Sequence, residues 1–123
     1  MGTNHGYDKQ PTDELIRLYE KAASEHGQAS RRRDFRAGDP AAETVPEIYR
    51  IIRDRGLEHQ RMLLRLLLSS DNGVRGWVAA DALEFEPRQG EAILSDVAKM
   101  EGLEGSNAKM TLKAWREGRL RFP

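Results

Sequence analysis

The chain has 123 residues, of which 33% are charged, and its 20 basic side chains are matched by 20 acidic ones. This balance argues against a general binder of nucleic acid or of anionic membranes, which usually carries a basic excess, and it is compatible with self-association. The chain contains no cysteine, which excludes disulfide scaffolds, thiolate metal sites and cysteine nucleophiles.

The N-terminal residues and the apolar runs predict a cytoplasmic protein with no membrane partner. The first residues of the chain have neither the basic start nor the apolar centre of a secretory signal. The longest strongly apolar run covers residues 62–68, which is far too short to span a bilayer.

The first helix is predicted to begin at Thr12, which can cap the free backbone N–H groups and is followed by two acidic residues. Residues 1–11 are polar and predict a flexible N-terminal tail. Apolar side chains follow Thr12 at helical spacing as far as His26, so the helix could extend into residues 31–36.

The second helix has two alternative starts. Asp39 and Pro40 place a capping residue before a proline at the first helical position, whereas Thr44 and Glu47 form a capping box. A start at Pro40 would leave Pro46 inside the helix, where proline produces a kink. We therefore expect the regular helix to begin at Thr44, after an irregular turn.

Four further helices follow, and no segment shows the strict alternation of a half-buried strand. The third, residues 57–69, is rich in leucine on most sides, which predicts a helix in the middle of the fold. The fourth follows a turn at residues 70–73, and the fifth starts at Pro87. The sixth covers residues 106–117, and its predicted buried side chains are Ala108, Met110, Leu112 and Trp115.

These elements predict an all-α domain over residues 12–118, with residues 119–123 as a C-terminal tail. Short connections pair the helices into about three antiparallel hairpins, and each hairpin leaves a face that a neighbour must cover. We therefore expect an α-α superhelix of stacked HEAT-like hairpins, with a compact six-helix bundle as the alternative.

Residues 71–83 resemble the second helix of a HEAT repeat, in which a turn aspartate is followed by Val-Arg, small residues and a leucine. In that resemblance Ala79, Ala80 and Ala82 would let neighbouring helices approach closely. Leu83 would fill the space between two layers.

From about residue 13 to residue 123 the chain also resembles a bacterial family of domains of unknown function. The resemblance is carried by the Val74-Arg75 helix start, the Pro87 helix start and the ending at residues 115–118. It implies an armadillo/HEAT-type α-α superhelix and no established activity. Some small bacterial proteins with HEAT-like folds are immunity partners of secreted toxins, which is an analogy at the level of the fold alone.

No pattern of histidine, serine or acidic residues predicts a reaction. The histidines, His5, His26 and His59, form no helical pair with the spacing of metal ligands. No serine lies in the Gly-x-Ser-x-Gly context of a hydrolase nucleophile, and Glu84 and Glu86 are two residues apart, so they point to different sides of a helix. We therefore predict that the protein is not an enzyme and binds no metal and no cofactor.

Residues 31–36 form a dense charge cluster, with four arginines against a single aspartate. The cluster could contact an anion, RNA or an acidic partner, with Phe35 as a stacking or anchoring ring. Alternatively, these residues form a solvent-exposed helix end without a binding role, because basic side chains there complement the negative end of the helix dipole. A second basic region near the C-terminus consists of Lys109, Lys113, Arg116, Arg119 and Arg121. If both regions shared one face, binding of nucleic acid would be favoured.

Trp77 lies at helical spacing from Val74 and Val78, so packing inside the fold is one interpretation. Exposure on the inner face of the superhelix is the other, because exposed aromatic residues and arginines anchor protein partners. Asp81, four residues further on, would then share that face. The candidate partner-binding residues are Arg31, Arg32, Arg33, Phe35, Arg36, Trp77 and Asp81.

The sequence thus predicts a non-enzymatic domain that binds another protein, with toxin neutralisation as a specific version of that function. A helical repeat protein that binds nucleic acid through residues 31–36 is the alternative. A small-molecule site between hairpins is a third hypothesis.

Overall fold

The computed structural model describes residues 6–32 and 40–123, without the side chains of residues 30–32. This part of the chain contains six α-helices, two short 3₁₀ segments and no β-strand, which confirms the all-α prediction. None of the described helices is both long and apolar enough to cross a bilayer. The helices are α1 (Thr12–Arg32), α2 (Pro40–Asp54), α3 (Leu57–Met62), α4 (Asn72–Ala82), α5 (Pro87–Ala98) and α6 (Leu103–Arg116), and the 3₁₀ segments are Tyr7–Lys9 and Leu63–Leu68.

Helix α4 lies at the centre of the fold. It packs against α1, α5, α6 and the 3₁₀ segment Leu63–Leu68, while α1 also packs against α2 and α5 against α6. The buried apolar side chains of α4 are all short, and they are Val74, Val78, Ala79 and Ala82. Because short side chains let helix axes approach, α4 can be covered on several sides at once.

Gly90 lets α5 lie directly on the backbone of α4. A Cβ atom at Gly90 would lie 2.7 Å from the carbonyl oxygen of Ala79 and 2.9 Å from the backbone nitrogen of Leu83. These are backbone atoms, which cannot move aside as a flexible side chain can. The close approach expected at the small residues of α4 is therefore present, and Gly90 is the residue on the facing helix that makes it.

Asp71 caps α4 and joins its start to α1. Its Oδ1 accepts hydrogen bonds from the backbone N–H groups of Gly73 (2.8 Å) and Val74 (3.2 Å). Its Oδ2 accepts a hydrogen bond from the hydroxyl of Ser24 in α1 at 2.6 Å. The turn aspartate thus satisfies the free donors of the first turn and positions that turn beside α1.

Parts of both predicted tails pack against the core. Tyr7 does so near the N-terminus, and Leu120 and Phe122 do so near the C-terminus. The N–H of Arg119 also donates to the carbonyl oxygen of Ala114 at 2.8 Å, which directs the last residues back towards the helices.

Two predicted helix starts are wrong. Helix α2 begins at Pro40 and contains Pro46. Thr44 does not cap it, because the Thr44 hydroxyl donates to the carbonyl oxygen of Pro40 at 3.0 Å, as threonine does inside a helix. Helix α6 begins at Leu103, since Gly102 at a φ of 89° turns the chain directly into the first helical turn.

The predicted third helix changes its geometry at Leu63, where α3 gives way to the 3₁₀ segment Leu63–Leu68. With three residues per turn, side chains three positions apart lie on one line. Leu68 therefore lies on the same line as the exposed Arg65 and is itself 88% exposed, while Leu63 and Leu66 share a different, buried line. The expectation that the leucines of residues 57–69 are buried on most sides is therefore wrong at Leu68.

Met110 is 67% exposed, so its predicted burial is also wrong. Helix α6 buries Ala108 and Leu112, as expected. Met110 lies two residues from each of them, and side chains two positions apart on a helix do not share a face.

We expect Gly90→Ala to lower the free energy of unfolding by about 1–3 kcal/mol, because the added methyl group must push α5 off the backbone of α4. Urea denaturation of the purified protein measures this change.

The matched control is Gly76→Ala in α4, where the nearest neighbour of the added Cβ atom would be Val97 Cγ1 at 4.0 Å. That change should leave stability unaltered or raise it by up to about 1 kcal/mol, since alanine favours a helix over glycine. Equal losses from both substitutions would show that the contact at Gly90 is not special.

Candidate functional site

A groove of about 210 Å³ opens between α1, α4 and α6, and side chains of α5 reach it as well. Helix α4 contributes Gly73, Gly76, Trp77 and Ala80. Their spacing is that of a single helix face. Helix α6 faces them with residues at the same spacing, which are Glu104, Asn107, Ala108 and Thr111. The remaining lining residues are His26 and Gly27 of α1, Asn72 of α4, Leu94 and Val97 of α5, and Leu103 of α6. We call this cavity the Trp77 groove.

The depth of the Trp77 groove results from small residues on α4. At Gly76 the nearest neighbour of a Cβ atom would be Val97 Cγ1 at 4.0 Å, an ordinary van der Waals contact, so the backbone there borders the groove without crowding. At Gly73 a Cβ atom would lie 3.2 Å from the Cα of Gly27, so α1 and α4 approach each other at that end. Leu94 and Val97, each 1% exposed, make the groove apolar.

Trp77 forms one edge of the groove together with His26. The two ring centroids are 4.7 Å apart and the ring planes meet at 80°, an edge-to-face arrangement. Trp77 is half-buried, so this contact holds the indole in place while part of the ring stays accessible.

Polar side chains border the apolar part of the groove. Asn107 is exposed, and the hydroxyl of Thr111 donates to the backbone carbonyl oxygen of Asn107 at 2.9 Å. His26 and Glu104 are the titratable side chains in the lining. An apolar centre with a few polar groups at the edge is the composition of a recognition surface.

A row of side chains that includes two exposed apolar residues continues the groove onto the outer face of α6. Leu103 lines the groove and is 44% exposed, and Met110, seven residues later, is 67% exposed. Asn107 and Ala114 fall between and after them at helical spacing. We call these four residues the α6 row.

Trp77 is the predicted partner-binding residue that the structure places at the groove. Arg31 and Arg32 belong to the last turn of α1, but their side chains lie outside the described part of the chain, as do Arg33, Phe35 and Arg36. The binding role of this cluster therefore stays a prediction.

Several groove residues were not singled out from the sequence. His26 and the glycines of α4 lie at helical spacing, which a sequence shows. Which helix face remains uncovered, however, depends on how the helices pack.

Asp81 does not share an exposed face with Trp77, so that expectation is wrong. It is 4% exposed, and its Oδ2 accepts a hydrogen bond from the hydroxyl of Tyr19 in α1 at 2.6 Å. One turn after Trp77, therefore, the same side of α4 is covered by α1 instead of bordering the groove.

Tyr49 extends this polar cluster to α2 and α3. Its ring is fully buried, and its hydroxyl donates to the carboxylate of Glu84. The hydroxyl also accepts a hydrogen bond from Nε2 of Gln60 at 3.0 Å, and Arg53 pairs with Glu84 at 3.3 Å. Among the described residues every buried side-chain nitrogen and oxygen has a hydrogen-bond partner, so the cluster is fully satisfied.

Burial raises the pKa of Asp81 to about 7, because the charged carboxylate loses its hydration. The Tyr19 hydrogen bond and the charge of Arg53 oppose this rise, and the negative charge of Glu84 adds to it. Burial also raises the pKa of Tyr19 and of Tyr49. Because Asp81 is almost inaccessible to solvent, we interpret the cluster as a structural element and not as a reaction site.

His59 belongs to a separate cluster at the start of α1. Its Nδ1 lies 2.7 Å from the hydroxyl oxygen of Thr12, which also accepts a hydrogen bond from Arg55 at 3.0 Å. Arg55 donates in addition to the carbonyl oxygen of Asp8. Within the described residues no group of three or more histidine or acidic side chains is arranged to hold a metal ion.

No family model, curated protein or solved structure matches this chain. Its membership in the bacterial family that it resembles therefore stays a prediction.

We expect Asp81→Asn to become more stable relative to the wild type as the pH rises. The pKa of Asp81 in the folded protein is about 7, above its ordinary value of 3.8, so its favourable contribution is complete below that ordinary value and is lost as the pH rises through 7. The difference between variant and wild type should grow by up to about 1.4 kcal/mol per pH unit within this window. Urea denaturation at about pH 5 and about pH 8 measures it.

Asp54→Asn at the exposed end of α2 is the matched control, because its carboxylate is not buried. Its stability difference from the wild type should change far less between the two pH values. A constant difference for Asp81→Asn would contradict the raised pKa.

Proposed function

We propose that this chain is a non-enzymatic protein-interaction domain and that the Trp77 groove receives an apolar side chain of its partner. The observation that carries the proposal is the half-buried Trp77 at the edge of an open apolar groove. Tryptophan beside a pocket and inside a polar border is typical of the residues that dominate binding energy at protein interfaces.

The size of the groove favours a side chain over a small molecule as its occupant. Its volume of about 210 Å³ is below the roughly 300–1,000 Å³ of most small-molecule pockets. A groove of this size suits one anchoring side chain, with the remaining contacts supplied by the surrounding surface.

In this proposal the helices form a short HEAT-type superhelix of three hairpins. The packing of α1 on α2, of the 3₁₀ segment Leu63–Leu68 on α4, and of α5 on α6 supports three hairpins. Contacts of α4 with α1 and α6 support their stacking. A superhelix of this kind presents an extended surface to a partner.

Neutralisation of a secreted toxin in a bacterial cytoplasm is a specific version of this proposal. It rests on the resemblance and on the analogy at the level of the fold. Co-expression with the product of the neighbouring gene tests it, and the formation of a stable complex is the expected result.

The alternative is a nucleic-acid binder that uses residues 31–36. The density of arginine in this segment favours it, since four of the six residues are arginine. In that case binding should weaken steeply with salt and be lost on replacing Arg31, Arg32 and Arg33 by alanine.

We expect the protein to retain one stoichiometric partner when it is purified from its native cell, and expect Gly76→Met to abolish that retention. The methionine side chain would fill the groove, since Gly76 lines it and the nearest neighbour of an added Cβ atom would be Val97 Cγ1 at 4.0 Å. Trp77→Ala should weaken binding at least about tenfold, as for other aromatic anchors.

Ala92→Met, on an exposed position of α5, is the matched control and should retain the partner. Thermal unfolding of all variants verifies that they are folded. A partner that binds Gly76→Met as well as the wild type would show that the groove is not the binding site.

A further inference from the structure

The face of α6 that points away from the core exposes two large apolar side chains, Leu103 and Met110. The core side of α6 contains Gly105, Ala108 and Leu112. Leu103, Asn107, Met110 and Ala114 are spaced by four, three and four residues, which places them along one line of the helix. This is the pattern with which one helix packs against another.

The same helix carries an excess of positive charge. Helix α6 contains three basic residues and one acidic residue, although the whole chain has no net charge. Lys109 and Lys113 are exposed, stand one turn apart, and form no ion pair with the described residues. Together with Arg116 they line a shallow depression on the flank of α6.

We propose that the partner segment is an acidic amphipathic helix that lies along α6. Its apolar side chains would contact Leu103 and Met110, one of them would enter the Trp77 groove, and its glutamates or aspartates would face Lys109 and Lys113. This inference rests on the proposed function and adds the chemistry of the partner to it.

The spacing of the α6 row favours a helix as its occupant, because amphipathic helices contact a partner through side chains three and four residues apart. The α6 row offers the regular spacing that a second helix fills. With 14 residues, α6 is about 21 Å long, which is enough for about four turns of a partner helix.

The exposed apolar side chains of the α6 row also favour a protein over a nucleic acid as the partner. A phosphate backbone would pair with Lys109 and Lys113 but would leave Leu103 and Met110 without an apolar contact. An acidic amphipathic helix satisfies both the charges and the apolar side chains.

The experiment is a selection of random 16-residue peptides displayed on phage against the purified wild-type protein. We expect the enriched peptides to carry net negative charge and apolar residues at helical spacing. A synthetic peptide made from the enriched sequence should gain helical circular dichroism on binding, and its affinity should fall as salt is added.

Met110→Glu should weaken the binding of this peptide at least about tenfold, through lost apolar contact and added repulsion. Lys109→Glu with Lys113→Glu should weaken it by about the same factor at low salt. Arg88→Glu, an exposed charge reversal on α5, is the matched control and should leave binding unchanged. These positions are exposed, so thermal unfolding should show all variants folded.

Enriched peptides that are neutral or basic, a lack of enrichment, or full binding to Met110→Glu would each overturn the inference. If one of these results is found while the wild type still retains a partner that Gly76→Met loses, the acidic helix is rejected and the proposed function stands. If no partner depends on the groove either, the proposed function fails as well.

Discussion

The direct packing of α5 on the backbone of α4 is the contact on which the rest of the structure depends. Gly90 permits it, and the short side chains of α4 make the central helix thin enough to be covered by α1, α5 and α6. The same shortness has a second consequence. Where Gly73 and Gly76 lie, no side chain of α4 fills the space in front of α5, and the Trp77 groove is left open. The core and the candidate site thus have one common cause.

The buried polar cluster acts on the other side of α4. Tyr19 of α1 donates to Asp81, and Tyr49 of α2 donates to Glu84 and accepts from Gln60 of α3. The backbone N–H of Glu84 donates to the carbonyl oxygen of Asp81, which joins the two parts. Apolar surfaces can pack in several ways, whereas these hydrogen bonds are satisfied in one arrangement. The cluster therefore favours a single placement of these helices. Its cost is a buried carboxyl group, which reduces stability where that group must ionise.

The Trp77 groove and the α6 row form one continuous surface, since Leu103 belongs to both. Apolar side chains exposed together gain free energy when a partner removes them from water, by roughly 25 cal/mol per Å². The exposed lysines beside them add a preference for the sign of the partner's charge. The surface thus combines an apolar source of affinity with an electrostatic source of specificity.

The sequence by itself determined the helical content and the starts of α1 at Thr12 and of α5 at Pro87, because helix-start residues and helical spacing depend on residues that are close along the chain. It also identified Trp77 as a residue with two interpretations. The tertiary structure decided that Asp81 is buried, that Leu68 and Met110 are exposed, and that a groove opens beside Trp77. Helical spacing shows which side chains share a face, but whether that face meets a neighbouring helix or solvent depends on contacts between residues far apart in sequence.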